Sequence, residues 1–394
     1  MIKLERIMDQ LLELGQIGWE PERGMNRPPY SPAYDRAREF VRRIMDEAGM
    51  KTRIDAVGNL FGRYEGNVAG MKILLSGSHL DAVPEGGIYD GPLGVLGALE
   101  AMRSLHEAGN RHPLEVVAFT GEEGGEMGGT FGSRCFAGAV DFGHLPPDDV
   151  MESLGVSREK ILMSRGDSGN YEAYIELHIE QGPVLIDQSA GIGIPTAIAG
   201  ITRYLVTVSG EANHAGTTPM TARFDALKSA VEVLGEWYEY AFSRKDFVSN
   251  VGKLAVYPGS PAIIPGSVEF VLEMRSVDRD SIEQGVGKMK SILATLKNSK
   301  GTMSLMIDKG AAAMNPLLRE KIAFVSDELG LKWLELPSGA MHDAAPVSRE
   351  MPSAMIFIPS IGGVSHSKDE FSTPQDIRNG VEVLARTLHM LDRK

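Results

Sequence analysis

Residues 71–100 read MKILLSGSHLDAVPEGGIYDGPLGVLGALE, and this stretch decides the fold. Ile73, Leu74 and Leu75 form a short apolar run, the signature of a buried strand. The run closes on small residues and then on His79 and Asp81. A glycine-rich loop carrying Asp90-Gly91 follows, and from Leu93 to Met102 the pattern predicts a helix. In α/β sheets the chemistry sits just beyond the carboxyl ends of the strands. A histidine and an aspartate there, with a second aspartate in the next loop, make half of a metal site, because imidazole and carboxylate are ordinary zinc ligands. The plainer alternative is turn chemistry, which aspartate also favours.

Working outward, the same design recurs. Residues 114–119 predict a strand that ends in Glu122-Glu123. Successive side chains point to opposite faces, so two adjacent carboxylates can take different work. Residues 174–178 are a third strand, ending in His178 and followed by Gln181. Residues 354–358 are a fourth, and the next loop carries His366. Upstream, helices are expected up to about Gly15 and over 32–49, with a loop over 20–31 and a strand or hairpin over 52–64.

From about Gly200 the pattern changes. Phe224, Leu227, Val231, Leu234 and Tyr238 step by three and four, as in an amphipathic helix. Its start is expected at Thr217-Thr218-Pro219, with proline in the first turn. Strands are expected at 203–209, 252–257, 267–275 and 303–308, and a second helix at 279–296. The order is βαββαβ, the ferredoxin-like arrangement. The fold class is therefore α/β: a domain bearing the candidate metal ligands, with a mixed sheet flanked by helices, interrupted by a smaller ferredoxin-like domain. The expected boundaries are 1–199 and 311–394 for the first and 200–310 for the second.

Composition limits the partners. The net charge of −13 argues against nucleic acid and against an anionic membrane surface. Hydrophobic content of 43% and charged content of 24% are those of an ordinary globular protein. The single cysteine, Cys135, excludes an intramolecular disulfide and a cysteine-based zinc site, and fits a cytoplasmic enzyme. The amino terminus, MIKLERIMDQLLELGQ, has helical amphipathic spacing and is not a signal peptide. No apolar run approaches the ~18 residues of a membrane span.

Taken together, His79, His178 and His366 with Asp90, Glu122 and Glu123 supply ligands for two metals. A carboxylate shared between ions about 3.5–4 Å apart makes a clamp that generates hydroxide. One of the two glutamates must stay off the metals as general base. A binding protein would not need that base, and a metal store would not need a second domain.

The motifs GSHLDAV, YDGPLGV, TGEEGG, ELHIEQGP, HAGTTPM, SGAMHDA and GVSHSKDE, in this order over about 77–370, resemble the hydantoinase/carbamoylase family of the di-zinc aminoacylase/carboxypeptidase clan. That family includes N-carbamoyl-L-amino acid hydrolases, β-ureidopropionase and allantoate amidohydrolase. The resemblance implies that His79 and His178 bind one metal, that Asp90 bridges, that Glu123 and His366 bind the other, and that Glu122 is the base. Asp81 would steady His79. His214 and His342 would polarise the scissile carbonyl or steady the oxyanion, Arg275 would pair with the substrate carboxylate, and Gln181 would touch substrate or the ligands from behind. A cis peptide would follow Asp90. The implied cofactors are two divalent ions, zinc first, with Mn²⁺, Co²⁺ or Ni²⁺ as alternatives. The implied reaction is hydrolysis of the amide or ureido C–N bond of a small N-carbamoyl or N-acyl carboxylate. The alternatives are allantoate or ureidoglycolate hydrolysis, or an N-acyl amino acid amidase or dipeptidase. The second domain would be lid and dimer surface of a homodimer.

The chain departs from the family pattern at Ala82, at Gly125-Glu126-Met127, at Met341 and at Ala262, where an asparagine usually supports the arginine. These positions bear on the substrate rather than on the metals. His106, His112, His144 and His389 read as surface or core residues, Cys135 as a packed small residue, and Trp237 and Trp333 as core or interface.

Overall fold

Four parallel strands set the site. In the computed structural model, which describes residues 2–393, they lie side by side in the order Ser353–Ile358, Tyr171–Ile179, Ile73–His79 and Leu114–Phe119. Ile73–His79, Leu114–Phe119 and Ser353–Ile358 are buried along their whole length, as expected of strands covered on both faces. Leu60–Tyr64 and Lys51–Ile54 extend the sheet antiparallel at one side. Ile192–Ile198, a strand with no counterpart in the sequence reading, pairs antiparallel with Ser353–Ile358 at the other. The whole is a nine-stranded mixed sheet.

The helices Leu4–Gly15, Pro92–Glu107 and Pro374–Asp392 pack their apolar sides into one core with these strands. Pro92–Glu107 lies close against the sheet because Gly94 permits it: a Cβ there would stand 2.3 Å from the Leu177 carbonyl oxygen. The short helix Phe131–Phe136 belongs to a second cluster with Val57, Met127 and Met151. Cys135 is buried in it, and burial pushes its thiol up.

The described residues fall into two compact units, 1–197 with 313–394, and 198–312. The second is a four-stranded antiparallel sheet in the order Val248–Tyr257, Ser267–Ser276, Gly200–Ser209, Lys300–Lys309. The helices Ala226–Phe242 and Arg279–Ala294 share its core. Ser267–Ser276 alternates strictly: Val268, Phe270, Leu272 and Met274 are buried, while Glu273 and Arg275 point the other way. Trp237 is fully buried in this core.

One helix begins later than the sequence suggests. Thr217 to Pro219 is loop, and the helix starts at Ala226 because the Asp225 carboxylate accepts from the Leu227 and Lys228 amides. Aspartate is among the strongest N-caps, which outweighs proline as a start signal. The expected cis peptide after Asp90 is absent as well: among the described residues the cis bond is Tyr257–Pro258.

Candidate metal centre

The carboxyl ends of the four parallel strands deliver the ligands. His79 and His178 lie in the last turn of their strands, Glu122 and Glu123 just after Phe119, and His366 in the loop after Ile358. Two sets of side chains converge there: His79, Asp90 and His178, and Asp90, Glu123 and His366. Within each set the ligand atoms lie within 4.8 Å of one another, and Asp90 belongs to both. Asp90 Oδ1 is 3.5 Å from His79 Nε2 and 3.1 Å from His178 Nε2. His366 Nε2 is 3.5 Å from Asp90 Oδ2 and 3.3 Å from Glu123 Oε2.

The ring tautomers suit cations. His79 Nδ1 meets the Asp81 carbonyl at 3.0 Å and His178 Nδ1 the Ile179 carbonyl at 2.9 Å. Those nitrogens donate, so in the neutral ring each Nε2 presents a lone pair. His178 Nε2 is buried with no hydrogen-bond partner among the described residues, and it faces the Asp90 carboxylate. Lone pairs that converge in a buried space require a positive centre, so the residues present fit a metal pair. A backbone carbonyl behind a ligating imidazole is the usual support for such a ring.

Asp81 meets His79 through its backbone: its carbonyl, not its carboxylate, accepts the hydrogen bond from His79 Nδ1. The carboxylate accepts from the amides of Gly121 at 3.0 Å, Glu122 at 3.2 Å and Glu123 at 3.0 Å. It thereby fixes the turn that aims both glutamates. Gly91 closes the other side: its φ is +82° and a Cβ would lie 2.5 Å from the His79 ring.

Glu122 lies outside both ligand sets, with Oε2 3.9 Å from His79 Nε2. Burial raises its carboxyl well above the usual range; Asp343, Glu123 and Asp81 add to this and His79 opposes it. Burial works against ionised Asp90 too, but His178, His366 and His79 hold it well below the ordinary range. Burial also disfavours a charged His79, yet Asp90, Glu122 and Asp81 outweigh it and raise the ring. Hydrogen bonds that its ring donates to Asp90 and Glu123 push His366 up to about 10.

The other expected site residues are distributed as follows. Gln181 Nε2 donates to Asp90 Oδ2 at 2.7 Å, so it holds the shared carboxylate. His342 is expected at the substrate; here its ring is buried against His178, centroids 4.4 Å apart, and its Nε2 meets Ser338 Oγ at 3.0 Å. Glu176, His178 and His342 also cluster. Both Glu176 oxygens are already taken, by Ser78 Oγ and the Ala344 amide, so this is support rather than a third ion site. His214 and Arg275 belong to the second unit. His214 is exposed, and its Nδ1 accepts from the Gly216 and Thr217 amides at 3.0 and 3.2 Å, which leaves Nε2–H as a donor. Arg275 Nε donates to Glu273 Oε1 at 2.7 Å, and Arg203 pairs with the other oxygen of Glu273. Ala262 accepts from the Ala215 amide at 2.9 Å, beside His214.

Two supports have no precedent in the sequence reading. Glu370, the last residue of the GVSHSKDE motif, accepts from the amides of Tyr89 and Asp90. Arg27 is fully buried in the stretch read as a plain loop and donates to the Leu80, Leu14 and Ile17 carbonyls. Burial lowers it to about 10, with Asp81 opposing. An acid four residues after a ligand histidine was a usable signal for the first; nothing local marks the second.

A sheet whose strand ends gather two adjoining sets of residues able to hold a cation, with a further carboxylate beside them, is the arrangement of a metal-dependent hydrolase. Comparison with known proteins takes this further. The profile of peptidase family M20/M25/M40 matches residues 75–390. An N-carbamoyl-L-amino acid amidohydrolase from Geobacillus stearothermophilus is 37% identical over 410 residues, 99% of each chain. An allantoate amidohydrolase from Bacillus subtilis is 33% identical, over 98% of this chain and 97% of that one. The crystal structure of a hydantoinase/carbamoylase family amidase from Burkholderia multivorans superposes with a TM-score of 0.86 at 30% identity, covering 98% of this chain and 97% of that one. The chain belongs to peptidase family M20/M25/M40, in its hydantoinase/carbamoylase branch, and is a hydrolase of non-peptide C–N bonds. Among the described residues no helix is long and apolar enough to cross a membrane.

Proposed function

We propose that the chain uses two divalent ions, zinc in the first instance, to hydrolyse the C–N bond of a small N-carbamoyl or N-acyl amino-acid-like carboxylate. The observation that carries this reading is the pair of ligand sets sharing Asp90, with Glu122 outside both. His79 and His178 hold one ion, Glu123 and His366 the other. When bound, the ions polarise the scissile carbonyl and acidify water. Glu122 takes the proton of the attacking water and passes it to the leaving nitrogen. Its buried carboxyl has a raised proton affinity, which suits a group that must hold a proton between the two transfers. His214 donates from Nε2 to the developing oxyanion, and Arg275 pairs with the substrate carboxylate. His342 steadies His178 from behind.

The named relatives act on N-carbamoyl-L-amino acids and on allantoate. Ala262, beside His214, favours a substrate with a larger or less polar group there, because the amide donor usual at this position in the family is missing. The second unit serves as dimer surface: its two edge strands expose Val248, Leu254 and Tyr257, and Leu305 and Met306. The single cysteine suits the reducing cytoplasm. The test is release of free amine and ammonia from N-carbamoyl-glycine, -alanine, -methionine and -phenylalanine, allantoate, ureidoglycolate and N-acetyl amino acids. Activity should appear on metal loading and vanish with chelator; no amine from any of them in the metal-loaded protein overturns the reading.

A further inference from the structure

The loop that carries His366 is tied to the loop that carries Asp90 at several points. Glu370 is 5% exposed. Its Oε1 accepts from the Tyr89 and Asp90 amides, both at 3.0 Å. Its Oε2 meets Ser365 Oγ at 2.9 Å, and that hydroxyl is also 3.1 Å from Asp90 Oδ2. Gly87 closes against the same carboxylate, since a Cβ there would stand 2.5 Å from Glu370 Cβ and Oε1. His366 is held in the left-handed region at φ +54°, a conformation that a non-glycine residue keeps only where its surroundings fix it. Ser365 precedes His366 directly and Glu370 follows it by four residues, so both ties act on the strained segment.

We propose that Glu370 is a positioning residue for the second cation. By joining the two loops it sets the spacing between Asp90 and His366, and with it the Asp90–Glu123–His366 position. The inference rests on the two-ion reading above. Glu370 touches no ion and no substrate; it acts through the Asp90 backbone and through Ser365.

The geometry predicts a specific pattern among variants. Alanine at 370 removes the ties made by the carboxylate, to the Tyr89 and Asp90 amides and to Ser365, and leaves the direct Ser365–Asp90 contact. Glutamine can offer its Oε1 to the two amides and an Nε2–H to Ser365, leaving the Ser365 hydroxyl hydrogen for Asp90. The experiment titrates the metal-free full chain with Zn²⁺ alone, reading bound metal by elemental analysis and the affinities of the two ions by chelator competition. In Glu370→Ala the weaker of the two ions should be lost or its affinity lowered about 10–100-fold, the usual effect of removing an outer support. The first ion should be retained at its wild-type affinity, and Glu370→Gln should bind both ions as wild type does. Ser365→Ala and Gly87→Ala, which loosen the same tie from other sides, should also weaken the second ion and stand in if Glu370→Ala does not fold. Unchanged binding of both ions in Glu370→Ala, equal weakening of both, or a Glu370→Gln variant as impaired as the alanine would each overturn the proposal. A wild-type chain that takes up only one ion would refute the two-ion reading itself.

Discussion

The first unit buries most of its chemical groups, with His366 the exception at 50% of its side chain exposed; the second carries His214 in the open. Asp90 is 5% exposed, and its side chain is engaged by Gln181 and Ser365. The Glu122-Glu123 turn is gripped through three amides by Asp81. In the second unit His214 sits in an exposed loop, and Arg275 lies on the face of its sheet away from the helices with 27% of its side chain exposed. Metal chemistry tolerates little displacement and is fixed by long-range hydrogen bonds from several loops. The second unit's loop around His214 is a surface where a single side chain, such as Ala262, can change without disturbing the core. Substitutions in the first unit should therefore act on metal or on kcat in large steps, and those in the second on substrate preference by degrees.

The largest expected effect is at Glu122. Glu122→Gln should retain both ions and lower kcat by about 10²–10⁴-fold, the range for loss of a general base. Glu123→Gln should instead lose metal. Steady-state kinetics beside elemental analysis separates the two, and the opposite pattern would exchange their roles.

In the second unit, Ala262→Asn should place an amide donor beside His214, in the loop before Ser267–Ser276 and at the other end of that strand from Arg275. A hydrogen bond to a charged group contributes about 1.5–3 kcal/mol. At 1.4 kcal/mol per decade, kcat/KM for short N-carbamoyl amino acids should rise roughly ten- to a hundredfold, with metal content unchanged. If wild type already turns these over rapidly and the variant brings no gain, the exposed unit does not set specificity in this way.

A smaller, graded effect is expected from pH. In the metal-free protein Asp90 and Glu123 push His366 up to about 10. Below that pH an ion at the Glu123–His366 position must displace the imidazole proton. Its affinity should therefore rise with pH, by about tenfold per unit for each proton displaced, and level off near the His366 pKa. The raised pKa also stabilises the metal-free fold below the unfolded value of ~6.5, a contribution lost as pH rises through about 10. Metal competition titrations from neutral to alkaline pH check the slope; a flat profile would show that His366 is not a ligand.

How much was legible in the sequence follows the same division. Apolar runs ending in His79, Glu122-Glu123 and His178 announce themselves locally, because strand and ligand are contiguous. The Asp81 and Glu370 ties are not local. Glu370 reaches amides some 280 positions away in the chain, and no periodicity encodes that. Arg27 is hidden for the same reason: its partners are carbonyls, which any residue supplies. The misplaced start of the helix at Ala226 came from competition between two local signals, a proline and the Asp225 cap. The strand Ile192–Ile198 went unread because it lies between two well-marked regions and takes its pairing from Ser353–Ile358, far along the chain.

The account turns on Asp90 being shared between two cation positions. The most direct test is the metal content of the purified chain after saturation with Zn²⁺ and removal of excess, for wild type, Asp90→Ala, His178→Ala and His366→Ala. The account predicts two ions in wild type, one left in each histidine variant, and none held tightly in Asp90→Ala. An Asp90→Ala protein that is folded and still retains one tightly bound ion would contradict it.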